Sequence, residues 1–238
     1  MTELSSLDLA SRDDFADGRR ESRALQIRLG GPEVSRLQAS FVQLYHAIEV
    51  RRTGAMPLVV QFISPANGAG ATTVASGYAR VAALQSSQPV LFLDCSGERL
   101  TGARSQEPVT LMDTYRRGLP LSAAIVPVRD ASNLLWARLC PAPHALMALG
   151  GDGLNRLLGL LRAQYPLIVL DSPPADAPEA AALSRYCDGS VLVVAAGRTR
   201  ESEIMAARNL IERLGGQTVG IVLNRQRALL PRWLDRRL

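Results

Sequence analysis

The stretch with the clearest potential for chemistry is residues 64–73, SPANGAGATT, which lies between an apolar run and a run of small residues. This layout is typical of a strand, a phosphate-binding loop and a helix, in which backbone N–H groups hold phosphates while a lysine and a hydroxyl contact phosphate and Mg²⁺. Gly68 and Gly70 can curve the loop, and Thr72 and Thr73 supply hydroxyls, but Ala71 stands where the lysine is expected. Taken alone, the stretch fits a tight turn before a closely packed helix at least equally well.

Polar residues also follow three other apolar runs. Asp171 ends Leu-Ile-Val-Leu-Asp, a pattern typical of the carboxylate that holds Mg²⁺ beside a phosphate loop. Asp94 ends Val-Leu-Phe-Leu-Asp, where it can contact a metal, but taken alone it is interpreted as the cap of a helix or turn. Asn224 follows the last run, where it can bond an adenine edge or turn the chain, and the sequence leaves both open.

The basic residues have an unusual composition. The chain contains 27 Lys plus Arg and no lysine, so every one of them is an arginine, and the formal net charge is +5. No lysine from elsewhere in the chain can therefore replace the one missing from the loop. The arginines are scattered, which favours a solvated surface over the alternative of nucleic-acid or acidic-membrane contact.

The surrounding elements predict an α/β fold with a doubly wound, mainly parallel sheet, because apolar strands alternate with helical patterns. The ligand site is then expected at the carboxyl ends of the strands. We predict a disordered or extended segment over residues 1–32 and a single domain over 33–238. Predicted strands are 58–63, 90–93, 134–139 (interrupted by Arg138), 167–170, 190–195 and 218–223. Predicted helices are 34–52, 73–85, 152–164, 177–186 and 202–214.

Composition also bears on location. No apolar stretch approaches the roughly 20 residues that span a bilayer, and the first residues do not have the apolar segment of a secretory signal. Cys95, Cys140 and Cys187 are far apart and lack metal-ligand spacing, so they are interpreted as buried thiols in a reducing compartment. We expect a cytoplasmic protein.

An ordered set of motifs carries a family resemblance over about residues 33–238. The set consists of SPANGAGATT, VLFLDCSGER, YPLIVLDSPP, CDGSVLVVAAGRT and GIVLNR. It resembles the bacterial tyrosine kinase (BY-kinase) family of capsule and exopolysaccharide proteins, within the partition- and Min-type P-loop ATPases. The resemblance implies a P-loop NTPase-like fold, a Mg-ATP site and an N-terminal oligomerisation helix, which predicts a homo-oligomer. The implied nucleotide-binding residues are Gly68, Gly70, Ala71, Thr72, Thr73 and Asn224, and the implied weak metal set is Thr72, Asp94 and Asp171.

The departures from the family pattern fall in the same site. The loop lysine is Ala71, the early loop lysine of partition-type relatives falls on Ala66, and the second aspartate of the Asp-x-Asp element falls on Ser96. Residues 225–238 contain no tyrosine, although family kinases end in a tyrosine-rich tail that they phosphorylate. Because loop lysine and Mg²⁺ provide most of the local positive charge in phosphoryl transfer, we assign no catalytic residue and expect weak Mg-ATP binding at most.

The expected function is a catalytically degenerate accessory protein of exopolysaccharide biosynthesis or export. It would regulate a membrane polysaccharide co-polymerase by contact, at the inner face of the membrane through that partner, without binding nucleic acid. One alternative is an active ATPase or tyrosine kinase of the same pathway, and another is a partition- or Min-like positioning protein. The C-terminal tail mixes leucines, Trp233 and arginines, so it either lies on an anionic membrane or, as we favour, closes over the domain or a neighbouring subunit.

Overall fold

The structure is a computed structural model, and it describes residues 32–51, 57–96, 109–129 and 131–225. The predicted N-terminal segment is outside this range except for Pro32, which begins the first helix. The C-terminal tail also lies outside the described residues. The boundaries predicted for the N-terminal segment and the domain therefore stay predictions.

A seven-stranded sheet forms the centre of the described chain, in the order β3-β4-β2-β5-β1-β6-β7. Every neighbouring pair is parallel except β3 with β4, which is antiparallel. The mainly parallel sheet confirms the predicted fold class. The strands are β1 Leu58–Ile63, β2 Val90–Asp94, β3 Ile125–Pro127, β4 Leu134–Arg138, β5 Leu167–Asp171, β6 Gly189–Ala195 and β7 Thr218–Asn224.

Helices cover both faces of this sheet. They are α1 Pro32–Arg51, α2 Ala71–Gln85, α3 Leu111–Arg116, α4 Gly150–Arg162, α5 Pro178–Leu183 and α6 Glu201–Arg213. Alternate residues of β1 show the two sides: Val60 and Phe62 belong to one buried cluster, and Val59 belongs to another. The first cluster is closed by α1 and α2, and the second by α4, as a doubly wound sheet requires. Across the described helices, none is long and apolar enough to pass through a membrane.

Helix α1 packs directly on α2, the helix that follows the glycine loop. The ring of Phe41 lies where a side chain on Gly77 would have to be, so the two helices approach closely at this point. Tyr78 continues the contact, with its ring 6.2 Å from that of Tyr45 and 5.2 Å from that of Phe62 in β1. The predicted first helix is therefore part of the core and lies against the loop-bearing helix.

The segment between β2 and β4 contains elements that the sequence patterns did not predict. These are α3, a 3-10 helix at Leu121–Ala124 and the short edge strand β3. Each has six residues or fewer, too short for a hydrophobic period to emerge. A capping signal was present, because the Thr110 hydroxyl accepts a hydrogen bond from the Asp113 backbone N–H at 3.1 Å.

A buried polar network joins the strands beneath the loop. Gln61, in the middle of β1, donates from Nε2 to Ser172 Oγ and to the Ala180 carbonyl, both at 2.8 Å. Its Oε1 accepts from Ser190 Oγ at 2.7 Å. Because buried amides are costly unless hydrogen-bonded, this network fixes the positions of β1, the loop after β5, α5 and β6 relative to one another.

Candidate phosphate site at the strand ends

The glycine loop has the backbone geometry of a strand-to-helix phosphate loop. Gly68 and Gly70 both adopt positive φ, 83° and 87°, which glycine adopts without the steric cost of a Cβ. Gly70 is the N-cap of α2, and the first turn of that helix contains no acidic residue. The N-terminal N–H groups and the helix dipole therefore favour an anion at this point.

The predicted hydroxyl and the missing lysine occupy neighbouring positions at the start of α2. Ala71 is the first residue of the helix and is buried, whereas Thr72 is exposed and Thr73 is half-buried. The exposed Thr72 is next to the loop but has no lysine ammonium beside it. The structure thus places four predicted residues, Gly68, Gly70, Thr72 and Thr73, around one helix N-terminus.

Asn224 contacts the same loop from the end of β7, the last strand in the sheet order. It ends β7, is 2% exposed, and donates from Nδ2 to the Ala69 carbonyl at 2.8 Å. A Cβ on Gly70 would overlap this side-chain amide. Asn224 therefore holds the loop in place. Both polar atoms of its side-chain amide are hydrogen-bonded, since Oδ1 accepts from the Arg225 backbone N–H at 2.8 Å.

The two predicted aspartates lie side by side on the other flank of the loop. In the parallel register of β2 and β5, Asp94 pairs with Asp171, and Asp171 pairs in turn with Phe62 of β1. Both aspartates end their strands, and adjacent strands are about 4.8 Å apart. Both residues therefore lie at the same edge of the sheet as the loop. Both residues are buried, at 4% and 1% exposure.

A buried arginine completes this edge, and the sequence reasoning missed its role. Arg138 ends β4, pairs with Asp94 in register and is 6% exposed. It donates from Nε and from Nη2 to Asp94 Oδ2, each at 3.2 Å. Asp94 Oδ1 accepts from Ser96 N at 3.0 Å and from Ser96 Oγ at 2.7 Å. The carboxylate thus accepts four hydrogen bonds from within the chain.

A signal for this ion pair was present in the sequence. The hydrophobic pattern presents Arg138 only as an interruption, which makes the strand 134–139 the least regular of the six predicted ones. Because a charged residue in a buried strand requires a partner, a lone arginine there indicates a carboxylate on a neighbouring strand. Asp94, at the end of the strand that pairs with β4, is that partner.

Two thiols lie in the same low-dielectric region. Burial raises the pKa of Cys95 well above its ordinary value, and Cys140 and Asp94 raise it further. Burial raises the pKa of Cys140 to about 12, with Asp94 also raising it and the Arg138 guanidinium lowering it. Both thiols therefore stay protonated at neutral pH, and their burial confirms the prediction for these two cysteines. Cys187, also predicted to be buried, is only half-buried.

Sequence comparison finds relatives that are tyrosine-protein kinases. The chain is 33% identical over 86 residues to tyrosine-protein kinase CpsD of Streptococcus pneumoniae serotype 4, and this match spans little more than a third of either protein, 36% of this chain and 37% of that relative. A second CpsD, from Streptococcus pneumoniae, is 24% identical over 205 residues, covering 81% of this chain and 89% of the relative. No family model matches the chain.

Solved structures with the same fold include kinase domains and an ATP complex. The kinase domain of Escherichia coli tyrosine kinase ETK has a TM-score of 0.70 at 22% identity, covering 82% of this chain and 78% of that one. The chimerical protein CapA2B2 has a TM-score of 0.72 at 19% identity, with 94% of each chain covered. The ATP complex of a Cyanothece McdA variant has a TM-score of 0.54 at 22% identity, covering 72% of this chain and 71% of that one.

The sheet order, the glycine loop and these neighbours define a P-loop NTPase-like domain. Within that class, the relatives found by sequence are named tyrosine-protein kinases, and the neighbours in fold include tyrosine kinase domains. The chain is therefore similar to the bacterial tyrosine kinase (BY-kinase) family in sequence and in fold.

Proposed function

We propose that this chain is a catalytically degenerate member of the bacterial tyrosine kinase (BY-kinase) family, which serves exopolysaccharide biosynthesis or export by contact with a membrane co-polymerase. One observation carries the proposal: Ala71, a buried residue without charge, begins α2 directly after a loop of phosphate-binding geometry. Phosphoryl transfer depends on positive charge placed against the transferring group, and removing one preorganised contact costs about 2.7–4 kcal/mol of transition-state stabilisation. The chain has no lysine to replace it.

The partner is proposed from the comparisons. A relative in Staphylococcus aureus, 36% identical over 94 residues, is named putative tyrosine-protein kinase CapB. The chimerical protein CapA2B2 names a CapA portion together with a B portion, and this chain shares its fold over 94% of its length. These names support a CapA-type membrane partner, and with it a position at the inner face of the membrane.

The first test measures nucleotide binding and turnover separately. The wild-type chain is expected to show little thermal stabilisation by ATP and no phosphate release or tyrosine phosphorylation. Ala71→Lys is expected to raise ATP affinity, because an ammonium at the start of α2 joins the N–H groups and helix dipole, without creating tyrosine phosphorylation. Ala206→Lys, which adds the same charge at an exposed position of α6, is the matched control and should leave ATP affinity unchanged.

A second test concerns the pathway. In the native host, Thr72→Ala is expected to support wild-type polymer yield and chain length, because contact and not turnover is proposed to matter. Loss of polymer in a folded Thr72→Ala chain that still co-purifies with its membrane partner would contradict the proposal. ATP turnover or phosphorylated product from the purified wild-type chain would contradict it directly.

A further inference from the structure

Asp94 is one of the two carboxylates in the metal set expected from the sequence, and hydrogen bonds from within the chain occupy its oxygens. A carboxylate has about four lone-pair sites. Ser96 takes two at Oδ1, and the Arg138 guanidinium takes two at Oδ2. The metal set expected from the sequence, Thr72 with Asp94 and Asp171, therefore does not fit the residues as they lie.

Arg138 also supplies the positive charge that a bound cation would otherwise provide to Asp94. A buried carboxylate must be compensated by a positive charge, which can come from a bound ion or from the chain. The guanidinium carries a positive charge and presents its donors in a fixed planar fork, so it compensates the Asp94 carboxylate without a bound ion. Ser96 acts in the same direction, because its hydroxyl donates to Asp94 where a second carboxylate would have offered oxygens to a metal.

We propose that Arg138 is a built-in cation that replaces the divalent ion at Asp94, so that any anion held by the glycine loop is bound without Mg²⁺. The Asp94–Arg138 ion pair is the observation that carries this inference, with both side chains at most 7% exposed. It goes beyond the proposed function, although it concerns the same site. It does not depend on the identity of the membrane partner.

The test titrates Mn²⁺, a Mg²⁺ surrogate, into the full chain and follows the EPR signal of the free ion. The wild-type chain is expected to have no Mn²⁺ site at this edge of the sheet. Arg138→Leu frees Oδ2 of Asp94, beside Asp171, and is expected to bind Mn²⁺ on the order of tenfold more tightly than the wild type. The Arg138→Leu/Asp94→Leu double variant, which removes both buried charges together, is expected to lose that gain.

The matched control is Arg208→Leu, which removes one positive charge from an exposed ion pair with Glu212 on α6. It changes net charge by the same amount and should leave Mn²⁺ binding at the wild-type level. If circular dichroism shows that Arg138→Leu does not fold, Arg138→Gln, which keeps a donor without the charge, takes its place. A wild-type Mn²⁺ site as tight as that of the Arg138 variant overturns the proposal, as does an Arg138 variant that binds no better than Arg208→Leu.

The Arg138 proposal and the proposed function can be refuted separately. ATP turnover by a wild-type chain that has no Mn²⁺ site would refute the proposed function and leave the Arg138 proposal intact. A wild-type Mn²⁺ site without ATP turnover would refute the Arg138 proposal alone. The two measurements use the same purified chain, so differences in preparation do not enter.

Discussion

The glycine loop after β1 and the carboxylate that ends β2 lie at the same edge of the sheet, but different features of the chain specify them. The loop is defined by backbone conformation, with Gly68 and Gly70 at positive φ and Asn224 bonded to the loop carbonyl of Ala69. The position of the Asp94 carboxylate depends on an ion pair, in which Arg138 supplies the compensating positive charge. The conformation of the loop is therefore set by its glycines and by Asn224, whereas the charge of the buried carboxylate is compensated by a single neighbouring residue.

The largest effect on stability is expected from the removal of Asp94. We expect Asp94→Ala to lower the free energy of unfolding by about 3–5 kcal/mol, because it leaves the Arg138 guanidinium buried without its carboxylate. Urea denaturation measures the change. Asp176→Ala, an exposed aspartate in the loop before α5, is the control and should cost less than about 0.5 kcal/mol. A loss below about 1 kcal/mol for Asp94→Ala would show that the ion pair does not hold this edge together.

The two loop glycines provide a second test. Both have positive φ, but they differ in the atoms that surround them. A Cβ on Gly68 meets no atom within 4 Å, so Gly68→Ala should cost only the left-handed strain, about 1–2 kcal/mol. Gly70→Ala adds an overlap with the Asn224 amide and should cost about 2–4 kcal/mol in urea unfolding. Combining Gly70→Ala with Asn224→Ala should recover part of the difference. Equal losses for the two single variants would mean that Asn224 does not press on the loop.

The smallest expected effect concerns the thiols near Asp94. The Cys140 pKa is about 12 in the folded chain against an ordinary 9.0, so the unfolded chain ionises first. The stability contributed by this thiol is therefore complete below pH 9.0 and is lost as pH rises from 9.0 to about 12. Between about pH 7 and 9.5 the wild type should lose on the order of 1 kcal/mol more than Cys140→Ala, measured by urea unfolding at each pH. Parallel pH profiles for the two chains would refute this.

The regular part of the fold follows from local patterns. Six predicted strands match observed ones to within one residue at each end, because continuous apolar runs bounded by turns specify buried parallel strands. The loop residues could be placed together for the same reason, since strand ends in a parallel sheet share an edge. The pairing of Asp94 with Arg138 depends on register between residues 44 positions apart, and a local pattern does not specify register across that separation.

The elements between β2 and β4 could not be predicted from the hydrophobic pattern, for a different reason. Its helix, 3-10 turn and edge strand are each too short for periodicity, and β3 is largely exposed. Asn224 shows a third limit. Its position could be predicted, but a strand-end asparagine serves a ligand or the chain itself equally well, and only the contact with Ala69 shows which atoms it bonds in this structure.

The close contact between Phe41 and Gly77 has a consequence for the glycine loop. Because Gly77 has no Cβ, the Phe41 ring lies directly against α2, the helix that begins at Ala71 after the loop. Any displacement of α1 would therefore press on the helix that carries the loop at its N-terminus. A Cβ at position 77 would overlap the ring and force the two helices apart.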